Sequence, residues 1–265
     1  MMRSYVWPFA QAGLLGQMTR REIQQKFKGS WLGLGWLLVT PLAMLAVYTF
    51  VFQSVFKARW PGAEGDSMTF ALNLFAGLIV FNWFGDVFTR APQLILEQTN
   101  LVKRVIFPLP ILAWMVVLSS LFQALLSMGV LVTGQLIFDQ QLPSELWALP
   151  LVLLMFMPWL LGLSWLLSAI GVYLQDTRHL VAMILPPILF LSPIFYPVSA
   201  LPAMAQGLII FNPLTVMIES LRAALLNGPW PTPEALLIYT ASGLLVALIG
   251  AGVFARLRGG FADVL

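Results

Sequence analysis

Residues 105–138 read VIFPLPILAWMVVLSSLFQALLSMGVLVTGQLIF, 34 positions without one charged side chain. A bilayer core of about 30 Å needs about 20 apolar residues per helix, so this stretch is long enough to cross lipid. The same reading extends to residues 31–56, 146–175, 180–218 and 235–255, and a shorter run, 70–85, closes on Asp86. The chain is 60% hydrophobic and 9% charged, with a mean hydropathy of +0.88, where a soluble domain is typically about 25% charged. Lipid offers backbone groups no hydrogen bonds, so each run must satisfy its own as a helix. A membrane β-barrel would instead alternate polar and apolar residues in short strands. The fold class read from this is all-α: a polytopic membrane protein.

Six spans are predicted, at 31–56, 70–89, 109–138, 147–173, 180–198 and 235–255. Basic residues crowd the segments on one side. With the N-terminus in the cytoplasm, 11 of the 14 Lys and Arg lie inside and only Lys57, Arg59 and Arg222 lie outside. The pI near 9.4 therefore reflects membrane topology, and nucleic acid is not an expected partner. Cysteine is absent, which excludes disulfides and thiol chemistry.

Residues 180–218 are too long for one crossing and are interrupted by Pro186, Pro187, Pro193, Pro197, Pro202 and Pro213, each of which removes a helix hydrogen bond. One span ending near Val198, followed by a re-entrant helical hairpin at 200–228, fits best. Glu219 and Arg222, three apart, are placed to pair on one helix face. Ahead of the first span, residues 7–28 read as a membrane-surface helix, with Thr19 and Glu22 at capping-box spacing and Gly29 as its stop. Between the second and third spans, Pro92 is placed to start a short helix and Asn100 to stop it, leaving a surface for a soluble partner.

Several chemistries are missing. No cluster of His, Cys or carboxylates has metal-ligand spacing, and no lysine sits in a phosphate-binding Gly-x-x-x-x-Gly-Lys-Ser/Thr loop. His179 reads as a solvated loop residue. Ion-coupled carriers keep titratable groups within the membrane, and here only Asp86 approaches a span interior, with Arg90 one turn away as its expected partner. Aromatic residues make up 13% of the chain. Most suit an interfacial belt, but Trp36, Tyr48, Phe52, Phe81, Trp83 and Phe84 are candidates for a stacking surface along a pathway for sugars.

Four stretches carry a resemblance to a known family. They are RREIQQKFKGSWLGLGWLLVTPLAMLAVYTFVF (20–52), FAGLIVFNWF (75–84), NLVKRVIFPLPIL (100–112), and SPIFYPVSALP with FNPLTVMIESLRAALL (192–202 and 211–226). In this order they resemble the membrane subunit of type-2 ABC exporters, in particular the permeases that export O-antigen, capsule or teichoic acid chains. The resemblance implies one permease domain over 1–265, comprising a gate helix at 1–29, spans 1–5 over 31–198, the outer hairpin at 200–228 and span 6 at 235–255. It implies a homodimer in the bacterial inner membrane with both termini cytoplasmic, and two copies of a separate ATPase subunit that hold ATP and Mg. The chain itself would carry no cofactor and no catalytic residue. Gln93, Leu94, Glu97, Gln98 and Asn100 are then expected to dock on the ATPase. Arg20, Arg21, Lys26 and Lys28 would form the basic gate, and the six aromatics above would line the path of a lipid-linked glycan. Export of a small hydrophobic drug or lipid is the alternative in the same class, and an ion-coupled carrier the alternative in another.

Overall fold

The computed structural model describes residues 11–26, 28–51, 67–102, 107–139, 142–202, 204, 206, 209 and 212–265. Among these the regular structure is entirely helical. The helices are α1 (Ala12–Lys26), α2 (Trp36–Thr49), α3 (Ser67–Arg90), α4 (Thr99–Val102), α5 (Ile111–Asp139), α6 (Leu149–Tyr173), α7 (Thr177–Leu191), α8 (Pro213–Leu226), α9 (Pro233–Leu257) and α10 (Phe261–Val264). Four of them, α3, α5, α6 and α9, are long and apolar enough to cross a membrane. Helices α2 and α7 are apolar and, over the described residues, have 14 and 15 residues, fewer than the roughly 20 that a bilayer core needs. The far end of the predicted first span, from Phe52 on, lies outside the described residues.

Helix α3 is the centre of the bundle. From Phe70 to Phe81 every side chain is buried, against α5, α8 and α2, with further contact to α6 and α7. The most extensive helix pair is α6 with α9, and glycine makes it possible. A Cβ on Gly250 would stand 2.1 Å from the Gly162 carbonyl oxygen, and one on Gly243 would stand 2.7 Å from the Trp159 ring. Small residues let helix backbones approach where lipid supplies no hydrophobic drive for association. The opposite face of α9 carries exposed Leu237, Leu244 and Leu248, as a lipid-facing surface should.

Helix α7 stops at Leu191 because Ser192 precedes Pro193 and takes an extended conformation (ψ 148°), the geometry a following proline favours. Helix α8 starts where Asn212 accepts a hydrogen bond from the Leu214 N–H and Pro213 occupies the first turn, a combination that satisfies an orphan N–H and pre-sets φ. Asn212 Nδ2 also donates to Leu191 O and Ser192 Oγ, tying the start of α8 to the end of α7. Helix α8 ends on Asn227 in the left-handed region (φ 53°), and Gly228 N–H returns to Arg222 O, closing the Schellman-type end. Most of 203–211, the first half of the expected hairpin, lies outside the described residues.

Arg222 does pair with Glu219, Nη1 to Oε1 at 2.9 Å, and it does more. At 2% exposure, it donates from Nε to Asn73 O at 3.1 Å and from Nη2 to Ile194 O at 3.0 Å. The second carbonyl belongs to the irregular chain after α7, where no helix supplies a donor.

Two local expectations are corrected. Helix α1 runs from Ala12 to Lys26, so Thr19 and Glu22 sit in its interior and form no capping box. The predicted helix from Pro92 to Asn100 is broken into 3₁₀ turns at Ala91–Gln93 and Leu96–Gln98, and Asn100 lies inside α4 rather than stopping a helix. The reason is tertiary: a Cβ on Gly171 of α6 would be 2.1 Å from Pro92 O, and Leu94 and Ile95 are drawn into the core.

Candidate functional site

Three surfaces gather the candidate residues, all built around α3. The first is the α3–α5 connection. Gln93, Leu96 and Glu97 face Gln175 and Arg178 of the α6–α7 turn across a notch of about 210 Å³. Glu97 and Asn100 are exposed. Gln98 turns the other way, into a groove of about 320 Å³ beneath α1 that Arg21, Gln25 and Phe107 also line. Leu94 is corrected: at 2% exposure it packs inward and is no part of a docking surface. His179 is exposed on α7, where its Nε2 accepts from Arg178 Nε.

The second surface is α1. Arg20, Arg21 and Lys28 are exposed and make no ion pair among the described residues. Lys26 is different. Its Nζ lies 2.7 Å from Asp86 Oδ2, and Glu22 pairs with Arg90. The expected Asp86–Arg90 pair within α3 is therefore replaced by two ion pairs between helices. The geometry explains the exchange: α1 lies across the end of α3 and offers each charge a partner that also holds α1 in place. Glu22, buried by this contact, reads from sequence as half of a capping box; its pairing with Arg90 is not legible there because the partner is 68 positions away.

The third surface is a cleft of about 410 Å³ between α2, α3 and α5. Thr40 and Met44 come from α2, Asn82, Trp83 and Asp86 from α3, and Gln123 and Ser127 from α5. The six candidate aromatics do not assemble along it. Phe81 and Trp83 line the cleft. Phe84 borders a separate apolar cavity and stacks on Phe88 with centroids 5.0 Å apart. Trp36 is 42% exposed and donates its indole N–H to Ser30 Oγ, whereas Tyr48 packs half-buried against the core. Phe52 lies outside the described residues. Trp83 is only 2% exposed and meets Phe156 edge to face, 5.2 Å between centroids. At that burial it offers no open stacking platform.

Asn82 and Gln123 are the cleft residues that sequence reasoning passed over. Both are amides inside otherwise apolar helices, a position that is costly without a role, and that signal was available.

Comparison with known proteins adds the remaining constraint. A family model described as ABC-2 type transporter matches residues 13–226. The chain is 26% identical over 253 residues to the O-antigen export system permease protein RfbA of Myxococcus xanthus, covering 95% of each chain. It is 23% identical, with the same coverage, to a protein of that name from Klebsiella pneumoniae. The polysialic acid transport protein KpsM of Escherichia coli is 24% identical over 242 residues, 88% of this chain and 89% of that one.

Proposed function

This chain belongs to the ABC-2 type transporter membrane family, and on that premise we propose that it is the transmembrane subunit of an ATP-driven exporter of a lipid-linked polysaccharide. The observation that carries the reading is the end-to-end match, over 95% of both chains, with a permease named for O-antigen export. A motor must come from elsewhere, since no lysine of this chain sits in a phosphate-binding loop. ATP and Mg then belong to a separate ATPase subunit, two copies serving a homodimer of this chain.

The bundle end that carries α1 and the α3–α5 connection faces the cytoplasm in this reading, as the basic residues favour. The notch bordered by Gln93, Glu97, Gln175 and Arg178 receives the ATPase, with Asn100 exposed three residues beyond Glu97. Arg20, Arg21 and Lys28 remain available to an anionic lipid carrier, while Lys26 tethers the gate helix.

In the six-span reading α7, which rises about 22 Å, crosses together with the chain that follows it, and three contacts support a re-entrant hairpin after that crossing. The chain after α7 meets α3 at Gly77, where a Cβ would touch Ile194. Helix α8 then leads back to the α5–α6 connection, where Asn227 accepts from Ser144 and Trp230 donates to Glu145.

The test is reconstitution with the partner ATPase in vesicles, scoring movement of a lipid-linked glycan between leaflets. Movement should require ATP and vanish when the ATPase carries a dead Walker lysine. Flux driven in the permease alone by a proton or sodium gradient would overturn the proposal.

A further inference from the structure

We infer that Asn82 and Gln123 form a sugar-hydroxyl binding site inside each protomer, in the cleft between α2, α3 and α5. The inference rests on the exporter reading and adds the residues and chemistry by which the uncharged part of the glycan would be held. Asn82 is exposed, although its neighbours on α3 from Phe70 to Gly85 are otherwise buried. Neither its amide nor that of Gln123 has a hydrogen-bond partner among the described residues, and the buried indole N–H of Trp83, which borders the same cleft, also has none. Unmet amides in a membrane helix call for a polar occupant.

The rest of the lining narrows the class of occupant. Ser120 and Ser127 spend their protons on backbone carbonyls of their own helix, at 2.8 and 3.1 Å, so they offer the cleft lone pairs. Each amide offers both a donor and an acceptor. Hydroxyls that donate and accept complement this set. Between the polar groups stand Phe75, Ile79, Met44 and Ala124, apolar surface suited to the C–H faces of a pyranose. The single charged residue lining the cleft is Asp86, already paired with Lys26, and no Lys or Arg lines the cleft to receive a phosphate. A bare acyl chain would leave the amides unmet. The volume, about 410 Å³, falls within the range of roughly 300–1,000 Å³ typical of small-molecule sites.

The test uses the absence of cysteine from the chain. Asn82→Cys and Gln123→Cys are introduced singly into the permease assembled with its ATPase, and labelling by a water-soluble maleimide is timed. Lipid-linked glycan extracted from the host membrane should slow labelling at least fivefold. The same polyprenyl diphosphate stripped of sugars should not, and an Asp263→Cys control on the exposed C-terminal helix α10 should be unaffected by either. In parallel, the double variant Asn82→Leu with Gln123→Leu should lose at least tenfold in glycan transport without a lower melting temperature, and Asn82→Gln should recover part of it. Equal protection by the stripped lipid would assign the cleft to the carrier and overturn the inference. So would no protection, or full transport by the double variant, while the unmodified transporter moves glycan. If the unmodified transporter moves no glycan, the exporter reading fails and the inference falls with it. Should the double variant fail to assemble, the labelling arms decide.

Discussion

Replacing Arg222 with methionine keeps most of the side chain's volume and removes its guanidinium. Three contacts go with it: Nη1 to Glu219 at 2.9 Å, Nε to Asn73 O at 3.1 Å and Nη2 to Ile194 O at 3.0 Å. A hydrogen bond from a charged group contributes about 1.5–3 kcal/mol, and breaking a buried ion pair from one side costs about 3–5 kcal/mol because the other charge is stranded. The two estimates overlap, since both count the Glu219 contact, so the loss should be near 4 kcal/mol rather than their sum. At roughly 2–4 °C per kcal/mol for a chain of about this size, the detergent-solubilised protein should melt roughly 8–16 °C lower. Size-exclusion chromatography after stepwise heating reads this directly. Replacing Glu219 with methionine in the same molecule removes the stranded carboxylate, so the double variant should regain about 1–3 kcal/mol, the usual coupling of residues in contact. Arg222→Lys should rescue little, because one ammonium cannot span three acceptors placed for a planar fork. A melting temperature within 2 °C of the parent for Arg222→Met, or full rescue by lysine, would refute the clamp.

Other expectations follow from the same contacts. Lys26→Asp and Asp86→Lys should each impair glycan transport by freeing α1, and the two together should restore it; a double variant as weak as either single one would mean that the ion pair does not position the helix. Gly250→Ala should cost about 3 kcal/mol, the upper end of overpacking penalties, because its Cβ would meet Gly162 O at 2.1 Å. Gly252→Ala, with open space at its Cβ, should be neutral or slightly stabilising, and equal melting temperatures for the two would refute the close α6–α9 packing. Trp83→Ala should lower stability by about 3–5 kcal/mol, as expected for a large aromatic removed from a core, whereas a stable variant with impaired export would return Trp83 to the transport path. Glu97→Lys should leave the complex assembled but uncouple ATP hydrolysis from transport, and unchanged coupling would remove Glu97 from the docking notch.

How much of this was legible beforehand depends on how local the cause is. The apolar runs that became α5, α6 and α9 were read to within a few residues, because solubility in lipid is a property of each segment alone. The Glu219–Arg222 pair, one helical turn apart, is equally local. The pairing of Lys26 with Asp86 is not, since it joins positions 60 apart. Nor is the broken segment after Arg90, which loses its helix to the contact of Pro92 with Gly171. The aromatics show the limit most plainly. In water, a helix marks its buried face by contrast with its polar one. In lipid both faces are apolar, so composition could place Trp36 and Trp83 in spans but could not tell that one is open and the other sealed against Phe156. That decision rested with close packing between helices, which depends on small residues and shape rather than on polarity.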